Sequence, residues 1–316
     1  MISLRQHAIS LVAVFLALAL GLFLGSGFVG DRVNSMTGTS RDRIGDLEDE
    51  RDDLNAKLNA SNSFDLAITP RLIANKLRGQ SVLVVTAPNA AEADVDAVKE
   101  SISGAGARFG GQIALTDALL TDAKSEELRT IVDQTISPGT MLRAELTDSG
   151  GRVGDLLGAL VLSNETARPA SSGDRRTGLG TLRDGGFIDY ADNAITPTDL
   201  VVVVTGDEFD ADSGAQGALV GRFSAAMAAR GVGGVLVGRT GSAVGGSPIA
   251  IVRSDPSLAN AVSTVDNIDQ PTGLITTILA LAAEKDGTTG SYGTGPGATA
   301  ITVGATTEPA PPRPAA

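Results

Sequence analysis

Leu200–Thr205 reads LVVVVT: five aliphatic residues in a row, four of them β-branched, closed by a threonine. β-Branched side chains are stiff at χ1 and fit a pleated surface. A strand with one wet face would alternate apolar with polar residues. This run does not alternate, so it predicts a strand buried on both faces, as in a parallel sheet covered by helices.

Outward from that strand the pattern repeats. Ser81–Thr86 (SVLVVT) is a second unpatterned aliphatic run. Pro88-Asn89 turns the chain, and Ala91–Ser103 has helical spacing at Val95, Val98 and Ile102. Gly104–Gly106 stops that helix, and Ala107–Leu115 reads as another strand. Helices are expected around Lys124–Thr135 and Arg152–Leu162, and a short one before Gly186 with Leu179 and Leu182 inward. After LVVVVT, Ala215–Arg230 is helical, with Leu219, Phe223 and Met227 on one face. Gly234–Gly238 and Pro248–Arg253 read as strands, Pro256–Val262 as a short helix and Pro271–Glu284 as a buried helix. Strand–helix alternation with such strands predicts an α/β domain built on a mostly parallel sheet. The Gly-rich Gly287–Gly297 and the Pro/Ala-rich end read as a disordered or extended tail.

The amino-terminal end is different. No Asp, Glu, Lys or Arg occurs between Gln6 and Gly30, and Ile9–Val29 is apolar or small throughout. Such a run spans roughly 30 Å as a helix, the thickness of a bilayer's hydrocarbon. Its apolar core is longer than that of a cleaved signal. A single transmembrane anchor is therefore expected. Arg5 and the α-amino group precede it, while Asp31 and Arg32 cancel after it, which keeps the N-terminus cytoplasmic and the bulk outside. Ala13, Ala17, Gly21 and Gly25 recur every four residues and make one shallow face through which two such helices could pack.

Just beyond the anchor, Ile44, Leu47, Leu54 and Leu58 follow a heptad a/d spacing, with Arg51 in the gap and acids and bases elsewhere. The spacing predicts a short coiled coil over 41–61 and a dimer; an amphipathic helix lying on its own domain is the alternative. The expected organisation is 1–30 for the cytoplasmic end and anchor, 31–63 for the coiled-coil helix, 64–286 for the extracytoplasmic α/β domain and 287–316 for the tail.

Composition removes several classes of chemistry. The net charge is −12, which argues against nucleic acid as a partner. With no cysteine there are no disulfides, thiolate ligands or cysteine nucleophiles. The one histidine is His7, before the anchor, so no histidine-based triad can form outside. Copper(I) prefers thiolate, thioether or imidazole, and Met36, Met141 and Met227 are far apart in sequence. Gly238-Arg-Thr-Gly-Ser follows a strand but lacks the Gly-Lys-Ser/Thr of a phosphate loop, and the next segment reads as a strand. Thr205-Gly206-Asp207 sits where parallel sheets place ligands, but an acidic loop is the simpler explanation. No enzyme, cofactor or metal site is expected.

Several stretches together resemble the mycobacterial copper transport protein B (MctB) family of actinobacterial envelope proteins. They are residues 1–28, the acidic heptad region, NSFDLAITPRLI (62–73), GDLLGALVLSN (154–164), VVVVTG (201–206), STVDNIDQPTGLITTILAL (263–281) and SYGTGPGA (291–298). The resemblance implies a pore-forming protein that lowers intracellular copper. It also implies kinship with the cell-separation protein SteB, and with it envelope partners such as a SteA-like membrane protein and a peptidoglycan hydrolase. The residues themselves favour an anchored, oligomeric docking module, since one anchor cannot line a pore alone.

Overall fold

LVVVVT lies at the centre of a seven-stranded sheet. The computed structural model describes residues 4–25, 28–136, 140–209 and 213–304, with side-chain surroundings undescribed at 4–9, 23–25, 28–42 and 122. Contacts divide the chain into Met1–Ser63 and Phe64–Ala316.

The first unit holds α1 (Leu4–Gly25) and most of α2 (Phe28–Ile73), which continues past Ser63 with Pro70 inside it. Among the described residues, no helix is long and apolar enough to cross a membrane.

The second unit follows in order: β1 (Ser81–Thr86), α3 (Glu92–Gly104), β2 (Arg108–Leu115), α4 (Asp117–Leu120), α5 (Ser125–Thr135), α6 (Ser149–Val161), α7 (Ser172–Asp184), β3 (Ile188–Asp189), β4 (Leu200–Val204), α8 (Gln216–Ala228), β5 (Gly233–Val237), α9 (Pro248–Ser254), α10 (Pro256–Ala259), β6 (Ser263–Val265), α11 (Pro271–Lys285) and β7 (Ser291–Tyr292). The strand order is β3-β2-β1-β4-β5-β6-β7. Every pairing is parallel except β2 with β3, so the sheet is mostly parallel.

Both faces of the central strands are buried. Val201 and Val203 enter one core with Leu83 and Val85; Leu200, Val202 and Val204 enter the other with Val82 and Val84. Each such side chain contributes about 1.5–3 kcal/mol when fully buried. The first core is completed by α5 to α9 and the second by α3 and α11. Leu179 and Leu182 are buried, as their spacing predicts.

Helix α6 lies very close to α8. A Cβ at Gly150 or Gly154 would run into the backbone carbonyls of Leu219 or Phe223, and one at Gly158 would lie 2.7 Å from the Arg230 Cβ. Helix α6, which carries most of the GDLLGALVLSN stretch, thus packs through Gly150, Gly154 and Gly158, four residues apart.

Two segments differ from their sequence reading. Pro248–Arg253 is the helix α9, not a strand. Pro248 stands in its first turn, where a missing N–H costs nothing, and it is buried together with Ile249 and Val252, which are three apart. Its β-branched content suggested a strand, but tertiary packing against α8 overrides so weak a preference. The strand that does extend the sheet is β6, three residues long and too short to show a period. Gly287–Gly297 is also not a loose tail. Ser291 and Tyr292 pair with β6, and Tyr292 bridges to Ala300. The tail beyond residue 304 lies outside the described residues.

Candidate functional site

The heptad residues occupy the middle of α2. Ile44, Leu47, Leu54 and Leu58 are 52–62% exposed, although each is a large apolar side chain. Arg51 stands between them at the a/d spacing and pairs with Asp52 at 2.8 Å. Lys57 pairs with Asp53 one turn earlier at 2.7 Å. Exposed pairs of this kind add only about 0.2–1 kcal/mol. They mark a solvated flank, beside which Ile44, Leu47, Leu54 and Leu58 form an apolar line interrupted by Arg51.

In α1, Ala13, Ala17 and Gly21 are exposed, and a Cβ at Gly21 would meet nothing within 4 Å. Gly25 lies outside the residues whose side-chain surroundings are described, as do His7 and Met36.

The second candidate is the carboxyl end of the sheet. Strand order reverses direction between β1 and β4, the position where parallel sheets place ligands. Asn89 folds across that point. Its Oδ1 accepts from the Thr205 hydroxyl at 3.1 Å and from the Gly206 N–H at 3.2 Å. The crevice beside Thr205-Gly206 is thereby bridged by a protein side chain.

Further along the same end, Asp94 on α3 meets the Arg239 guanidinium at 3.1 Å. Burial pushes the Asp94 carboxyl above its ordinary value, against the opposing charge of Arg239. Asp269 accepts from the Thr240 N–H at 2.8 Å and from its hydroxyl. These bonds hold the loop after β5 to the loop after β6. Gly238 is required there because a Cβ would lie 2.5 Å from Ser242 Oγ. The loop does lead into a helix, α9, which corrects the reading that a strand follows it. That helix has only 7 residues, and the Ser247 hydroxyl before it is taken by the Phe209 N–H at 3.2 Å.

Two buried charge clusters account for the remaining motifs. Asp266 and Arg253, with side chains 1% and 3% exposed, pair at 2.6 Å. Asp266 also accepts from the N–H groups of Thr294 and Gly295, while Arg253 donates to the carbonyls of Tyr292 and Pro296 and to Thr264 Oγ1. SYGTGPGA is thus clamped to STVDNID. On helix α6, fully buried Asp155 accepts from Arg143 Nε at 2.7 Å and Arg230 Nη2 at 2.6 Å. Burial alone would raise the Asp155 carboxyl; the hydrogen bonds and charges of Arg230 and Arg143 outweigh it and hold it below its ordinary value.

Sequence reasoning passed over all four of these charged residues and Arg143, because the partners are separated in the chain. The available signal was the concentration of Gly in SYGTGPGA and GDLLG, which marks close backbone approach. Among the described residues there is no group of three or more His, Cys, Asp or Glu that could hold a metal ion. Met141 is 85% exposed and Met227 fully buried.

The chain matches a family described as copper transport outer membrane protein, MctB, over residues 1–303. Proteins named copper transporter MctB from Mycobacterium bovis and Mycobacterium tuberculosis are 43% identical to it over 312 residues, covering 96% of this chain and 99% of theirs. One of the same name from Mycobacterium leprae is 43% identical over 325 residues, with the same coverage. The chain therefore belongs to the MctB family.

Proposed function

We propose that this member of the MctB family is a non-enzymatic envelope scaffold held by a single membrane anchor. Its amino-terminus is cytoplasmic, and its α/β domain lies on the other side. Two copies join through Leu47, Leu54 and Leu58 of α2, with Ile44 at the amino-terminal end of the seam and Arg51 in its middle. The small-residue face of Ala13, Ala17, Gly21 and Gly25 supports the pairing within the membrane. The paired helices then form the surface that docks envelope partners, such as a SteA-like membrane protein and a peptidoglycan hydrolase, in cell separation.

The observation that carries this reading is the exposed apolar line on α2 at a/d spacing. Its occupant is a second copy of the same helix, because a heptad pattern is self-complementary and its acidic and basic flanks can pair across the seam.

A second reading, copper transport at the envelope, is favoured by the names of the relatives. It too needs assembly, since one helix cannot line a path through a bilayer. The two readings separate on deletion. Transport gives a growth defect specific to copper; a scaffold gives chained cells and lysis under wall stress. Assembly itself is tested by crosslinking the full-length protein in membranes, with and without Leu54→Asp and Leu58→Asp. A crosslinked dimer lost in the double variant supports the seam. A dimer unchanged by both substitutions removes it.

A further inference from the structure

We propose that the cavity between α7 and the segment after β3 binds a small organic anion, a carboxylate or phosphate monoester carrying an apolar or planar group. The cavity has a volume of about 510 Å³, inside the range of roughly 300–1,000 Å³ usual for small-molecule sites. No part of the heptad seam contributes to it, so the inference is independent of the scaffold reading.

One face of α7 forms a wall. Arg176, Leu179, Gly180 and Arg183 fall at i, i+3, i+4 and i+7, and all line the cavity, as does Arg175. The arginines are not equivalent. Arg183 is already committed: its Nη1 donates to Asp192 at 2.6 Å, and its guanidinium lies 4.7 Å from the centre of the Tyr190 ring. Arg175 donates to the Ala170 carbonyl at 3.2 Å, a neutral partner that orients it and leaves its charge uncompensated. Arg176 makes no hydrogen bond or ion pair with any described residue. Against these three cations the cavity holds Asp184 and Asp192, so a positive surplus remains in a chain of net charge −12.

The rest of the lining is mixed: Ser172, Asn193 and Thr196 are polar, and Leu179, Tyr190 and Ile195 supply its apolar and aromatic part. Leu179 is buried, and Tyr190 and Ile195 pack on the first core. Guanidinium groups beside an aromatic and aliphatic floor match an anion with a flat or greasy body: Arg176 and Arg175 supply charge-assisted donors, and the floor takes the remainder. Gly180 borders open space, since a Cβ there would meet nothing within 4 Å.

The test is calorimetric titration of the full-length protein in detergent with phenyl phosphate and benzoate, beside inorganic phosphate and benzyl alcohol. Saturable binding of at least one aromatic anion is expected, with both single-feature probes weaker. Phenyl phosphate and benzoate together tell phosphate from carboxylate as the preferred head. Arg176→Ala should weaken binding about tenfold or more, as loss of a charge-assisted contact requires, and Arg176→Lys should restore part of it. Gly180→Phe should fill the cavity and abolish binding while the melting temperature stays at or above that of the unmodified protein. No saturable heat with any probe, or binding that survives both Arg176→Ala and Gly180→Phe, overturns the proposal.

Discussion

The carboxyl of Glu284 should make the protein less stable as pH rises through neutrality. Glu284 sits on α11 and is 6% exposed. Its carboxylate accepts from the N–H of Ser263 at 2.9 Å and from the Ser263 hydroxyl, with further bonds from Thr289 and the Gly234 N–H. Burial outweighs these donors and pushes its carboxyl from 4.5 up to about 7. The folded protein thus binds this proton more tightly than the unfolded chain does. The resulting stabilisation is complete below about 4.5 and is lost as pH rises through about 7. The interval corresponds to about 3 kcal/mol. Little else titrates there, because the chain has one histidine and no cysteine.

The assay is urea unfolding of the purified protein, followed by circular dichroism between pH 5 and pH 8.5. A loss of about 3 kcal/mol lowers the midpoint by about 1 M for a domain of this size. Glu284→Gln keeps an oxygen for Ser263 and removes the titration, so its midpoint should vary far less with pH. The substitution also turns an amide N–H toward the Gly234 donor, which lowers its stability at pH 5 relative to the unmodified protein. A midpoint that is flat or rises between pH 5 and pH 8.5 would refute the reasoning. So would an equal slope in the glutamine variant.

Other substitutions probe the packing and the clamps. Asp155→Ala leaves Arg143 and Arg230 without their shared carboxylate and should cost about 3–5 kcal/mol in chemical unfolding. Because the Asp155 carboxyl is held below its ordinary value, the stabilisation from this cluster is present above the unfolded carboxyl range and fades as pH falls through the depressed value. Gly154→Ala forces α6 away from the Phe223 carbonyl and should cost about 1–3 kcal/mol or more. Gly180→Ala, at an open helical position, should instead stabilise by about 0.5–1 kcal/mol; the two melts measured side by side check both. Asp266→Asn loosens SYGTGPGA from Arg253, and limited proteolysis should then cut near residues 291–298 well before the unmodified protein is cut.

What the sequence alone determined is everything that rests on local period and composition. Unpatterned aliphatic runs at 81–86 and 200–205 are strands buried on both faces, because no wet face can be built from them. Helices with Val95, Val98 and Ile102, or Phe223 and Met227, declared their buried side by spacing. The spacing of Ile44, Leu47, Leu54 and Leu58 was visible as well, and the structure places all four, exposed, on the helix α2. Absent cysteine and a lone histidine excluded whole classes of chemistry without any coordinates. Tertiary structure decided the rest. β6 and β7 are three and two residues long and exist only because β5 offers an edge to β6 and β6 one to β7. The β-branched segment 248–253 became a helix because α8 gave it a surface to pack on. Asp155 met Arg230 across 75 residues, and Arg253 held a loop 43 residues away. The arginine cavity on α7 likewise required β3 and the chain after it to be brought alongside. Such partners carry no local signature, because they are far apart in sequence and meet only when the elements that carry them pack together.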